Sequence, residues 1–160
     1  MGDFEEFVQA TGNQVFRTAL LLCGDWHLAE DLTQTTYAKV YAAWRKVSRA
    51  DSPVAYTRSV LLNTYLSHRR LKRSGERPSD DLPESAYLGD PTIRLALLDA
   101  LRELDPKDRA VVVLRYWEDR PVADTAHALG TTEGAVRTRT TRATAKLRDR
   151  LGADFVTAMD

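Results

Sequence analysis

Residues 122–151 read VADTAHALGTTEGAVRTRTTRATAKLRDRL, and this stretch decides the fold. Ala123, Ala126 and Leu129 recur at helical spacing, Gly130 supplies a turn, and Thr131 or Thr132 stands where a helix N-cap belongs. A short helix, a glycine turn and a longer helix make the outline of a helix-turn-helix. At about 3.6 residues per turn, Val136, Thr140, Ala143, Leu147 and Leu151 of the second helix fall on one stripe. Arg137, Thr138, Thr141, Arg142, Ala145 and Arg148 point the other way. The stripe can bury against the first helix. The opposite face is free to enter a major groove, where arginine forks suit phosphate oxygens and guanine edges, and threonine suits phosphate or a thymine methyl. An arginine-rich amphipathic helix by itself is equally a solvated surface; the short helix and turn before it favour DNA.

Before this stretch, residues 92–104 place Ile93, Leu97, Leu98 and Leu101 at helical spacing. A break at Asp105-Pro106 precedes Lys107–Trp117, which carries Ala110, Val111, Val113, Leu114 and Trp117. With the helix-turn-helix these complete a four-helix domain over 92–160. Upstream, GERPSDDLPESAYLGDP holds three prolines, two glycines and five acids with little apolar periodicity. It predicts a flexible acidic linker over 74–91. Residues 1–73 again have helical spacing: Phe4–Cys23 with Gly12 as a possible break, about Trp26–Lys46 with an acidic first half, and Val54 to about Lys72 ending in HRRLKR. The polar loop Arg45–Pro53 joins the last two. No alternating strand pattern is present, so the fold class is all-α, two small helical domains on a linker.

The charges balance, 23 basic against 23 acidic, and the balance hides a pattern. Residues 1–73 carry ten basic and seven acidic side chains, 74–108 four and nine, and 109–160 nine and seven. Two basic segments flanking an acidic one fit a chain that touches nucleic acid at two places. The single cysteine, Cys23, excludes an intrachain disulfide and reads as a small core residue. MGDFEEFV lacks the basic and apolar regions of a secretory signal, and the apolar run Ala19–Cys23 is far too short to cross a bilayer. A cytoplasmic location without membrane insertion is the expectation.

Two other functions are open to these residues. His27, Glu30 and Asp31 share one helix face and could be imagined around a metal, but such a site needs three or four ligands and none of the other histidines is near in sequence. No phosphate loop, nucleophile elbow or paired catalytic carboxylates occur, so no catalytic residue, metal or cofactor is expected. A dimeric activator or repressor would use the helix-turn-helix alone. It would leave Ala29–Tyr37 and the basic third helix without a task.

Those two features carry a resemblance. AEDLTQTTY, Ala29–Tyr37, is similar to the Ala-Glu-Asp-Leu-x-Gln-x-x-Phe signature of the extracytoplasmic-function group of bacterial sigma factors, and GTTEGAVRTRTTRATAKLRDRL resembles that group's region 4. Asn63 and the pair Arg69-Arg70 lie where the group has its asparagine and paired arginines, so the likeness runs from Phe4 to about Leu151. It implies a non-enzymatic subunit that binds core RNA polymerase at the beta-prime clamp and beta flap and recognises promoter DNA, with an anti-sigma factor as a further partner. Asp31, Leu32 and Gln34 would face the clamp. Arg49, Ser52, Arg58 and Asn63 would hold the melted minus-ten strand, and Arg69 and Arg70 the upstream duplex phosphates. Tyr56 is open between strand contact and core, and Asn63 between strand contact and a buried helix position. Arg137, Thr138, Thr141 and Arg142 would meet the minus-thirty-five element, with Arg115 on a phosphate. Three positions depart from the usual pattern: Thr35 replaces Glu, Ser67 replaces Asp, and Thr140 replaces Leu or Ile. The SHRR and NTYLS patterns look like an actinobacterial-type subgroup.

Overall fold

Helices make up every regular element of the computed structural model, which describes residues 2–72 and 91–152, with side chains for 2–71 and 96–152. The expected linker, apart from Pro91, lies outside the described residues, as do the side chain of Ile93 and residues 153–160. In chain order the elements are α1 (Gly2–Cys23), α2 (Trp26–Ala42), α3 (Trp44–Val47), α4 (Pro53–Lys72), α5 (Pro91–Arg102), α6 (Pro106–Val112), a π-helical turn (Val113–Trp117), α7 (Val122–Leu129) and α8 (Glu133–Leu151). The chain divides into two compact units, Met1–Tyr87 and Leu88–Asp160.

In the first unit α1, α2 and α4 pack on one another around Leu20, Leu22, Val40, Val47, Leu61 and Leu62. Gly24 ends α1 at φ 72, and the Asp25 carboxylate caps α2 by accepting from the Leu28 amide at 3.1 Å. The reversal sets the start of α1 against the end of α2. There Phe4 and Phe7 meet Trp44 with ring centroids 5.4 and 5.2 Å apart, and Phe4 meets Tyr41 at 5.0 Å. Tyr37 and Thr11 share a 2.6 Å hydroxyl contact beneath them.

Two boundaries differ from expectation. Gly12 does not break α1, which runs through it without interruption. A glycine costs a helix interior about 1 kcal/mol, and apolar packing on both sides, from Phe7 to Leu22, outweighs that. The second helix stops at Ala42 rather than near Lys46, because Ala43 leaves helical geometry at φ −106, ψ 19 before α3 begins.

In the second unit α8 is the central element, packed by α5, α6 and α7. Asp105 caps α6 by accepting from the Lys107 amide at 2.8 Å, with Pro106 in the first turn where its missing N–H costs nothing. The segment expected as one helix to Trp117 widens at Val113 into a π-helical turn, and Asp119 then takes a left-handed φ of 54. Arg115 Nη1 donates to the Arg120 carbonyl at 2.7 Å and Arg120 Nε to Glu118 Oε1 at 2.7 Å, so side chains close the turn that delivers α7.

Candidate nucleic-acid and partner interfaces

The helix-turn-helix is built by two terminal signals read correctly from sequence. Gly130 ends α7 at φ 64, ψ 39, a left-handed geometry open to glycine at little cost, and the Thr131 amide closes back on the Ala126 carbonyl at 2.9 Å. Thr132, of the two threonines offered, is the cap of α8: its hydroxyl accepts from the Ala135 amide at 3.0 Å. Val111, Ala126 and Val136 form the apolar knot beneath, joined by Val122 and Leu129. Ala143 and Leu147 continue the buried stripe. Thr140 is tolerated beside them because its hydroxyl donates to the Val136 carbonyl at 2.7 Å.

Arg137, Thr138 and Thr141 are exposed on the outer face of α8. Arg142 differs from its expected place. It lies on the flank facing α6, where its Nε and Nη2 donate to the two oxygens of Asp108 at 2.9 and 2.8 Å, and Arg139 Nη1 donates to the same carboxylate at 2.8 Å. The Asp108 side chain is 1% exposed, Arg139 25% and Arg142 49%. Burial alone would raise the carboxyl's pKa; hydrogen bonds and charge from Arg142 and Arg139 outweigh it and hold Asp108 below the ordinary carboxylate range. Arg137 pairs with Glu133 at 3.3 Å and Arg150 with Glu103 at 2.9 Å, both in solvent. Arg115 is half-buried with its Nε unpartnered, held in the turn described above rather than on the α8 face. Asp108 was missed from sequence. The signal was an acid at helical spacing with Val111 and Val112 on a buried face.

In the first unit the predicted strand-binding residues do not form one patch. Ser52 caps α4, its hydroxyl accepting from the Ala55 amide at 3.1 Å, and Arg49 is exposed in the loop before it. Asn63 and Arg70 are seven residues apart, two helical turns, and both are exposed on one side of α4. Arg58 and Arg69 are half-buried on a different side, in line with buried Leu62 and Tyr65, and Arg69 lies over the Tyr65 ring at 6.0 Å. Tyr56 is half-buried with Lys46 above its ring at 5.9 Å, neither core nor fully exposed. Asn63, by contrast, is plainly on the surface.

On α2 the three residues of the clamp-facing expectation separate. Asp31 and Gln34 are exposed, whereas Leu32 is 3% exposed and packs inward. Its side chain anchors the helix and does not face outward with its neighbours, because positions 29, 32, 36 and 40 form the buried stripe. Gln34 also lines an open groove of about 810 Å3 between α1 and α2, with Phe4, Val8, Thr33, Tyr37 and Tyr41. Tyr37 is held above the ordinary tyrosine value by burial, which outweighs its bond to Thr11. His27 and Glu30 face each other at 3.8 Å in solvent, and among the described residues no group of three or more His, Cys, Asp or Glu is arranged to hold a metal. No helix among them is long and apolar enough to cross a membrane.

Residues 7–75 match the family Sigma-70 region 2, and residues 94–147 match Sigma-70, region 4. An RNA polymerase sigma-E factor of Streptomyces coelicolor is 39% identical over 155 residues, covering 94% of this chain and 87% of the relative. The sigma-E factor of Streptomyces antibioticus is 38% identical over 153 residues, with 93% and 84% covered. In fold the chain is similar to the Bartonella quintana sigma factor RpoE, solved in complex with the anti-sigma factor NepR: TM-score 0.74, 22% identity, 96% of this chain and 99% of that one. Two sigma regions in order, with relatives matched over nearly their whole length, leave one assignment: the chain belongs to the sigma-70 family, as an extracytoplasmic-function RNA polymerase sigma factor that directs promoter-specific transcription initiation.

Proposed function

We propose that the two units divide the work of initiation, as a non-catalytic subunit acting in the cytoplasm. The first unit docks on core polymerase through the exposed side of α2, with Asp31 and Gln34 in contact and Leu32 holding their backbone in place. Arg49, Ser52 and Asn63 meet the melted minus-ten strand, Arg58 supports them from the half-buried side, and Arg69 and Arg70 meet upstream duplex phosphates. The second unit lays α8 in the major groove at the minus-thirty-five element, with Arg137, Thr138 and Thr141 toward the bases, and Arg142 and Arg115 toward phosphate. The beta flap is the polymerase surface this unit meets, and an anti-sigma factor of the kind bound by the Bartonella protein is a further partner.

The observation that carries this is the capped α7–α8 pair. Its apolar stripe is buried while Arg137, Thr138 and Thr141 stand exposed on the opposite side of a helix whose N-terminus is fixed at both Gly130 and Thr132. Reconstitution with core polymerase and a randomised promoter library tests it. Initiation from a selected class of promoters with two separated elements is expected; no holoenzyme, or initiation without sequence preference, overturns it. For the first unit, Asp31→Ala should weaken core binding about tenfold with an unchanged melting temperature. A variant that binds core normally removes Asp31 from the interface.

A further inference from the structure

The Asp108 cluster lies outside the base-facing residues and yet engages the helix that bears them. One buried carboxylate takes three hydrogen bonds from two arginines on α8, and those arginines differ in access: Arg139 is 25% exposed and Arg142 49%. A guanidinium has five N–H donors; the Asp108 grip uses two from Arg142, so the remaining three are available from a side chain whose rotamer is already set. Asp108 alone is hydrogen-bonded to the two arginines, and the Asp105 carboxylate adds a second negative charge acting on Arg142.

We propose that Asp108 is a positioning residue that determines the specificity of minus-thirty-five recognition, by holding Arg142 and Arg139 against α6 and withholding them from indiscriminate phosphate contact. This rests on α8 being the duplex reader. Phosphate contact is independent of sequence, so a loose arginine on a reading helix strengthens binding to any duplex. An arginine in a bidentate grip reaches phosphate only where the helix is seated in one register, and it loses little conformational freedom on doing so. Its charge, shared with Asp108, attracts random DNA less. The cluster therefore lowers the affinity for wrong sites more than for the right one. A purely structural role has no need of such an arrangement, since apolar residues of similar volume stabilise a helix contact as well as a buried ion pair does.

The test uses holoenzyme, a duplex bearing the minus-thirty-five element selected from the library, and a scrambled duplex of the same length. Binding is measured across salt at a temperature where circular dichroism shows each variant folded. Asp108→Asn keeps the shape and removes the charge. It should bind the scrambled duplex about threefold more tightly, with a salt exponent steeper by up to about 0.9 for each arginine released, and bind the selected duplex no better. Asp108→Glu should restore part of the discrimination. Arg142→Gln, which leaves Asp108 paired with Arg139, should lose about tenfold on the selected duplex, the worth of one charge-assisted phosphate contact, and leave scrambled binding within twofold. If Asp108→Asn weakens both duplexes in parallel with its melting temperature, or Arg142→Gln weakens both equally, Asp108 is structural only and the proposal falls. A parent protein that does not distinguish the two duplexes overturns the reading of α8 itself, and the proposal with it.

Discussion

Four arginines of α8 and the two near the end of α4 occupy opposite electrostatic settings. On α8, Arg137, Arg139, Arg142 and Arg150 each face a carboxylate, from Glu133, Asp108 or Glu103. On α4, among the described residues, Arg69 rests on the Tyr65 ring and Arg70 donates to Ser67 at 3.3 Å, and neither has an acidic partner. A buried carboxylate such as Asp108 fixes direction and subtracts charge; an exposed one does so weakly, and an aromatic face or a hydroxyl does neither to the same degree. The difference suits the two tasks proposed above. A helix that reads base edges rewards rigid, partly neutralised arginines, whereas Arg69 and Arg70, proposed to meet only upstream duplex phosphates, serve best with their charge unshared.

The largest way to break this contrast is to remove both arginines from Asp108. Arg139→Ala with Arg142→Ala leaves a 1% exposed carboxylate without a cation, and buried charges stripped of their partners cost about 3–5 kcal/mol. In a unit of this size that lowers the melting temperature by about 20 °C or more, read by calorimetry on the transition of the second unit. Arg69→Ala with Arg70→Ala should cost no more than about 1 kcal/mol. Equal losses from the two pairs would show that the α8 arginines are no more embedded than those of α4.

Acid and alkali should separate the units in the same manner. Asp108 is held below the ordinary carboxylate range in the fold, so its contribution is present above that range and is lost as pH falls through its lower folded value. Tyr37 in the first unit is held above the tyrosine value; its contribution is present below that value and is lost as pH rises through the higher folded one. Melting followed from pH 2 to 12 should show the second unit losing stability relative to Asp108→Asn on the acid side. The first unit should gain relative stability from Tyr37→Phe on the alkaline side. A second unit whose acid loss is unchanged in Asp108→Asn would take that carboxylate out of the acid response.

The helix caps offer a smaller and more symmetrical comparison. Ser52 and Thr132 each accept one amide hydrogen bond at the start of a helix proposed to meet DNA, at 3.1 and 3.0 Å. Substituting either by alanine should cost about 1 kcal/mol. Thr132→Ala should leave minus-ten opening intact. Ser52→Ala should slow it beyond the stability loss, as measured by permanganate reactivity of unpaired thymines, because Ser52 is assigned a strand contact as well as a cap. An opening rate that merely tracks stability would return Ser52 to capping alone.

What could be read in the residue order was whatever depends on neighbours in sequence. Gly130 and Thr132 announce a left-handed turn and a cap through their own chemistry, and the stripe Val136, Ala143, Leu147 follows from helical period. Contacts across helices were not legible. Asp108 and Arg142 are 34 residues apart and meet only because α6 lies along α8. Counting Asp108 with the acidic segment 74–108 therefore hid its actual role as a counter-ion to the recognition helix. Gly12 misled for a related reason, since the packing that keeps α1 continuous comes from α2 and α4. Leu32 stood beside Asp31 and Gln34 in a motif, yet its period assigned it to the core.

The finest test of the contrast is the salt exponent of binding. Each phosphate fully neutralised on a duplex contributes about 0.9 to the exponent, and on a single strand about 0.7. Arg137 pairs with Glu133 only in open solvent, where both side chains are more than half exposed, and such pairs hold their charges weakly. Arg137, turned toward the bases, still carries its whole charge into the groove between the phosphates, so Arg137→Ala should lower the duplex exponent by a large part of that increment. Arg142 shares its charge with a buried carboxylate, so Arg142→Ala should lower the exponent by clearly less. Arg70, with no acid beside it among the described residues, should cost the duplex exponent close to its whole share. The order Arg137 above Arg142 is what the carboxylate grip demands. If Arg142→Ala flattens the duplex slope more than Arg137→Ala, Asp108 does not restrain its partner, and α8 and α4 carry their arginines in the same way.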